Sequence, residues 1–316
     1  MVCRDRAQGE SAMAEIKAAS GNPTVQLMLA DLASQAEIRR LVEEFKSLRS
    51  PLHVLINNAG VALTQRSVAV DGMETVFAVN YLAPFLLTNL LLGMLQASAP
   101  ARVVNVAGDF HRKATLDFDD LMSEKNYNGI RANNRAKLAL ILFTYELARR
   151  LAGTRVTANC LHPGAAATDS PLKDPHLPPP ARMLYRLVRT FFPSPATGAK
   201  TSIYLASSPA GPPWPGTPSA SLRGPRSGRR RRRAPARRGE RPAAASASKI
   251  PRSLAGPSRG FGASPQIEGV SGEYFIKMAS VDSSRESYDE AIAKRLWEVS
   301  MKLTRLVEQG ASSTPS

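Results

Sequence analysis

Short apolar runs of five to seven residues, alternating with longer stretches of helical period, constrain this chain more than any other feature. Residues 24–30, 52–56, 102–106 and 155–161 are mostly aliphatic or β-branched and end at turn-forming or polar residues, as strands do. In the first of these, Val25, Leu27 and Leu29 share one face. Helical patterns lie between them. Residues 6–19 are closed by Gly21 and Pro23, and 34–48 carry a stripe of Ile38, Leu41, Val42 and Phe45. Ser34 and Glu37 have capping-box spacing. A further helix is expected to be capped by Asp71 and Glu74 and to run through Asn80 toward Leu95, and another covers 130–151. Strands separated by whole helices pair in parallel. The fold class is therefore α/β: a doubly wound, mostly parallel sheet with helices on both faces.

Such sheets bind ligands at the carboxyl ends of their strands. Asp31, the turn Asn57-Asn58-Ala59-Gly60, Gly108, and Pro163-Gly164 fall there. Singly, each also has an ordinary reading, Asp31 as a helix start and Asn-Asn-Ala-Gly as a plain turn. On the 130–151 helix, Leu138, Leu142, Tyr145 and Leu147 recur at roughly helical spacing, and Arg149 and Arg150 suit the negative end of the dipole. Asn133 and Lys137, four residues apart, share one face. The Lys137 ammonium would lower the pKa of an acid at position 133, but asparagine does not titrate.

Taken in order, Leu55-Ile-Asn-Asn-Ala-Gly60, Asn80-Tyr-Leu-Ala-Pro-Phe85, Arg102-Val-Val-Asn-Val106, Lys137 and His162-Pro-Gly164 resemble the short-chain dehydrogenase/reductases. The likeness is to their retinol dehydrogenase-like branch. It covers about residues 1–208 and resumes at Ile267, through Gly-Val-Ser-Gly-Glu-Tyr-Phe-Ile-Lys277. The resemblance implies a Rossmann-type sheet, NADP in preference to NAD, and hydride transfer with retinoid or other lipophilic carbonyl or alcohol substrates. It implies that Asp31 and Leu32 line the adenine, and that Asn58, Ala59 and Gly60 pass under the adenosine ribose. By the same token Asn80 holds a proton-relay water, Lys137 bonds the nicotinamide ribose, and Pro163, Gly164 and Thr168 lie against the carboxamide. Arg4 stands where NADP-preferring members place a cation for the 2′-phosphate.

Three departures accompany the resemblance. The chain opens at what resembles the end of the second strand, so the first strand, its glycine-rich phosphate turn and the first helix are expected to be lacking. An exposed edge at 52–56 should follow. Asn133 stands at the family's proton-donating tyrosine, and losing a general acid costs ~10²–10⁴ in rate. Gly108 stands at the family's serine, and losing a donor of that type costs ~10²–10³. Tyr127, Tyr145 and Asp109 are the candidate replacements, but Tyr145 lies ~12 Å beyond Lys137 along the helix axis.

Charge sets one segment apart. The chain carries +16, yet residues 209–265 hold twelve Arg and one Lys against one Glu, which leaves only +4 elsewhere. Eleven of the 24 prolines also fall there. Residues 208–266 therefore read as a disordered insertion between 1–207 and 267–310, two pieces of one domain, with 311–316 as a tail. The insertion is either inert, since loop-closure entropy rises slowly with length, or a nuclear-import or nucleic-acid tract acting through Arg229–Arg233. No aromatic is interleaved with its arginines, which argues against base stacking.

Two cysteines, Cys3 and Cys160, suit a reducing, cytoplasmic setting, with the nucleus as the other compartment if the tract is active. The four His show no metal-ligand spacing. The start of the chain is polar from its fourth residue, unlike a signal peptide or anchor. The most apolar run, 81–95, falls short of the ~20 residues of a membrane span. Residues 182–192 form an amphipathic helix suited to a substrate lid, a core or a membrane surface, and 290–307 close the domain with Ile292, Leu296, Val299 and Leu303 inward. Two functions remain: an NADP-dependent oxidoreductase of impaired activity, or a non-catalytic relative dominated by its arginine tract.

Overall fold

A computed structural model describes residues 1–164, 172, 174–208 and 269–306. Thr168, most of the basic insertion with Arg229–Arg233, and the 311–316 tail lie outside the described residues. The strands form two sheets. In the smaller, β1 (Val2–Cys3) pairs in parallel with β2 (Met28–Leu29). Residues 24–30 thus yield only two ladder positions, because β1 offers only two partners. The connecting helix α1 (Arg6–Ser20) begins at Asp5, whose carboxylate accepts from Gln8 N at 2.8 Å. It ends at Gly21, in the left-handed region at φ +67°.

One further helix precedes the main sheet. In α2 (Gln35–Ser47), Ser34 Oγ accepts from Glu37 N at 3.3 Å, but the Glu37 carboxylate is bound by Arg40 at 2.8 Å. Only half of the expected capping box therefore forms. Asp71 also serves a different helix from the one its position suggests. Its carboxylate accepts from Gln35 N at 2.7 Å, in the first turn of α2. After β3 (Val54–Asn57), α3 (Thr75–Ala97) is capped by Glu74 alone, whose two oxygens accept from Val76 N and Phe77 N, each at 2.8 Å. The apolar stretch is longer than its sequence suggests. α3 runs 23 residues, long and apolar enough to cross a membrane, but 72% of its apolar window is buried inside the protein. Burial among other helices explains that apolarity as core packing.

The chain continues through β4 (Ala101–Val106), α4 (Gly129–Arg150), β5 (Val156–His162), α5 (Pro179–Val188), α6 (Pro195–Ser207), β6 (Tyr274–Ile276), β7 (Ala279–Val281) and α7 (Glu290–Leu303). The main sheet has the order β3-β4-β5-β6-β7, parallel except for β7. That last strand is additional to the sequence reading. Lys277 and Met278, at φ +50° and +64°, make the two-residue turn that folds it back on β6. Among the described residues no ladder joins β1 to β3. One edge of β3 is therefore open, and Ile56 is 43% exposed.

α4 is buried nearly all round, not along one stripe: Leu138 through Phe143 are at most 2% exposed. It packs with α3 and α7, where Phe85, Phe143 and Trp297 meet at centroid distances of 5.1–5.7 Å. Glu146 holds the Arg149 and Arg150 that end the helix, and the Arg150 guanidinium lies 4.1 Å from the Trp297 ring centroid. On the other face of the sheet, Tyr204 and Leu205 of α6 pack against Val104, Val106, Leu161 and Phe275. In α7, Leu296 is buried, with Ile292, Val299 and Leu303 packed partly against the same core.

Candidate active site

The carboxyl ends of β3 and β4 meet the first turns of α4 and a widened turn of α3. That turn, Ala78–Leu82, has π-helical bonding, a local register change common at functional sites. Asn80 sits at its centre, 1% exposed. Its Oδ1 accepts from Val61 N at 2.8 Å, and its Nδ2 donates to Val61 O at 2.9 Å and to Asn133 Oδ1 at 3.1 Å. The two bonds to Val61 pin the Asn57-Asn-Ala-Gly60 turn. A Cβ at Gly60 would stand 3.2 Å from Asn80 Oδ1 and 3.8 Å from Lys137 Nζ, so glycine permits this close approach.

One turn beyond Asn133, Lys137 Nζ donates to Val106 O at 2.8 Å. The residue keeps some exposure, but burial around its ammonium pushes the pKa down to about 8. Gly108 is buried and extended, and a Cβ built on it would meet only Lys137 Cγ, at 3.9 Å. A serine would fit there.

Each of the three candidate replacements for the proton donor is engaged by another partner. Tyr127 Oη donates to Leu63 O at 3.1 Å, and burial first, then the charges of Glu74 and Asp174, push its pKa up to about 12. Tyr145 Oη is paired with Ser283 Oγ at 2.7 Å, and burial raises its pKa far above the ordinary value. Asp109 is exposed, and its bond to Arg112 at 2.7 Å lowers its pKa, so it is ionised at neutral pH.

The remaining residues singled out in the sequence lie apart from this cluster or at its border. Arg4 is exposed just past β1. Asp31 is half-buried, and its Oδ1 accepts from Ala33 N at 2.9 Å. Leu32 packs partly against Ile38, Ala83 and Leu86. Asn58, Ala59 and Gly60 are exposed after β3. Pro163 is half-buried after β5, and Gly164 follows at φ +84°, a conformation side chains rarely adopt. No group of three His, Cys, Asp or Glu that could hold a metal occurs among the described residues.

Two supports escaped sequence reasoning. His111, fully buried, bonds Gly108 O through Nδ1 at 2.7 Å, while its Nε2 accepts from Ser284 N at 3.0 Å. Only the neutral tautomer with hydrogen on Nδ1 satisfies both bonds, and burial lowers its pKa in the same sense. It ties the Gly108 loop to the segment before α7. Beneath the site, Asn57 Nδ2 donates to Thr88 Oγ1 at 3.0 Å and to Asn105 Oδ1 at 2.8 Å, and Asn105 Nδ2 donates to Thr144 Oγ1 at 2.9 Å. The available signal was an asparagine inside an otherwise apolar strand, since a buried amide must find partners.

Residues 1–174 match the model of the short chain dehydrogenase family. Human retinol dehydrogenase 14 is 35% identical over 322 aligned residues, covering 98% of this chain and 79% of that protein. Mouse retinol dehydrogenase 12 is 44% identical over 206 residues, but the match covers 65% of this chain and 64% of that protein. Among solved structures, an uncharacterized protein from Mycobacterium paratuberculosis superposes with a TM-score of 0.60 at 24% identity, over 96% of this chain and 83% of its own. That likeness concerns the fold alone. With its mostly parallel sheet and these relatives, the chain belongs to the short chain dehydrogenase family.

Proposed function

We propose that the chain is an oxidoreductase for retinoid or other lipophilic carbonyl and alcohol substrates, impaired in proton transfer. One observation carries this reading: Asn133, bonded to Asn80 at 3.1 Å, occupies the helical turn before Lys137. Reducing a carbonyl requires a proton for its oxygen. A carboxamide donates a hydrogen bond but releases no proton at neutral pH, so Asn133 orients and polarises the oxygen. Lys137, lowered to about 8, is the one member of the group Asn80, Asn133, Gly60, Gly108 and Lys137 with a proton exchangeable near neutrality. Its ammonium also stabilises negative charge developing nearby. The substrate class comes from the relatives named as retinol dehydrogenases.

The cofactor in this reading is NADP in preference to NAD. Lys137, Asn80 and Gly60 lie close together, and their cation and amide suit the ribose next to the nicotinamide, while Asp31 and Leu32 suit the adenine end. In the same reading Asn58 and Ala59 continue the turn, Pro163 and Gly164 serve the carboxamide, and Arg4 supplies a cation for a 2′-phosphate. For the diphosphate, the start of α1 is a poor cradle, because the Asp5 carboxylate already accepts from Gln8 N there and would repel an anion. The fit is therefore partial, and no chemical step is drawn through the dinucleotide. Two free thiols, Cys3 and Cys160, suit the cytoplasmic setting of this reading.

The test uses the purified full chain. Millimolar NADPH should raise the melting temperature, because a ligand of the native state stabilises it. Slow reduction of retinal should accompany this and disappear in Lys137→Ala. No thermal shift together with no turnover would leave the non-catalytic relative as the correct description.

A further inference from the structure

The amine of Lys137 is held among glycines and amides, with no acid beside it. Gly60, exposed after β3, carries no side chain, and a Cβ built on it would lie 3.8 Å from Lys137 Nζ. That missing side chain leaves the amine open to approach from the solvent side of the turn. Gly108 leaves similar room beside the stem of the same lysine, where a built Cβ would meet only Lys137 Cγ at 3.9 Å. Among the described residues Nζ bonds Val106 O alone, at 2.8 Å, and no carboxylate offsets the burial of its charge. Asn133, one turn earlier, gives its Oδ1 to Asn80 at 3.1 Å and keeps its Nδ2 as a donor for an incoming oxygen. A lysine desolvated without a countercharge gives up its proton readily, and the free amine is a nucleophile for carbonyl carbon.

We propose that Lys137 performs a second reaction at this site, condensing with the aldehyde group of a lipophilic carbonyl compound to form an imine. The substrate class rests on the proposed function, but the reaction needs neither a dinucleotide nor a phenol. The free amine attacks the carbonyl carbon, a C–N bond forms, and the C=O electron pair moves to the oxygen, which Asn133 Nδ2 polarises. That oxygen takes up the proton given off by the nitrogen, through water, to make a carbinolamine. Loss of the hydroxyl and of the second amine proton as one water then leaves the C=N bond. Nothing is oxidised or reduced, and hydrolysis reverses every step, so the aldehyde is held covalently but reversibly. An alcohol has no carbonyl carbon and does not react. At pH 7 an amine of pKa about 8 is free in about one molecule in ten, against about three in ten thousand at the ordinary 10.5.

Retinal mixed with the purified full chain at pH 7 and cyanoborohydride tests this, because reduction fixes an imine as a secondary amine that peptide mass mapping locates. Lys137 should be labelled at least ~10 times faster than the exposed Lys46 and Lys294, the lower basicity of its nitrogen offsetting part of the advantage in free amine. Retinol in place of retinal should leave Lys137 unlabelled. Lys137→Arg should leave only the slow surface labelling, and the comparison among lysines of the unchanged chain stands even if that variant fails to fold. Labelling of Lys137 no faster than that of Lys46 and Lys294 overturns the proposal. Retinal reduction with NADPH but without selective labelling would overturn the imine and leave the oxidoreductase reading standing. Selective labelling with neither turnover nor a thermal shift by NADPH would support the imine and remove the oxidoreductase reading.

Discussion

Asn80 Nδ2 donates to Asn133 Oδ1 at 3.1 Å, across 53 residues of chain. Asn133, at the position where the resemblance places a phenol, is thus an amide held by the helix opposite. Gly108 leaves room for a side chain, since its nearest neighbour to a built Cβ is Lys137 Cγ at 3.9 Å. Asn133→Tyr with Gly108→Ser is expected to raise NADPH-dependent retinal reduction by ~10²–10⁴. Steady-state rates measure this. An unchanged rate would move the principal defect to cofactor retention.

Lys137 sets a pH dependence of stability. Its native pKa, about 8, lies below the ordinary 10.5, so the unfolded chain holds this proton more tightly than the native one. The buried charge disfavours the native state below pH 8, and that penalty is relieved as pH rises from 8 to 10.5. Lys137→Met should therefore melt higher than the unchanged chain at pH 7, with the difference shrinking toward pH 10.5. A lower melting temperature for Lys137→Met at pH 7 would contradict this.

His111 acts in acid. Burial lowers its pKa below 6.5, so protons bind the unfolded chain preferentially, and stability falls as pH drops through 6.5 toward the native value. His162 shifts in the same direction, also through burial, and adds to the loss. Protonation gives His111 Nε2 a hydrogen and breaks the bond from Ser284 N. His111→Phe should cost about 2–4 kcal/mol at neutral pH, because Gly108 O and Ser284 N lose their partner. It should also flatten, without abolishing, the acid limb measured by urea denaturation.

Asn105 joins two neighbours in the buried network, accepting from Asn57 and donating to Thr144. Asn105→Ala leaves both polar groups without that partner and opens a small cavity, at an expected cost of about 2–4 kcal/mol. Denaturant titration checks it. A loss below half a kilocalorie per mole would show that water enters and replaces the amide.

The alternation of short apolar runs with helical stretches was enough to specify parallel strands and the residues at their carboxyl ends. This is because side-chain period is a local property that neighbouring residues record directly. The motif around Asn80, Lys137 and His162 identified the family for the same reason: these are short, ordered strings. What the sequence did not disclose were relationships closed only when the sheet assembles. Asp71 bonds the first turn of α2, 36 residues away, and not the helix it precedes. His111 reaches Ser284, 173 residues on, and β7 exists because two left-handed residues return the chain to β6. The outward stripe of α5, where Met183 and Leu187 are 75% and 65% exposed, was visible as a pattern, but periodicity does not say which face a helix turns to the body. Hydrogen bonding and burial between distant segments depend on where the whole chain goes, and only the tertiary structure decides that.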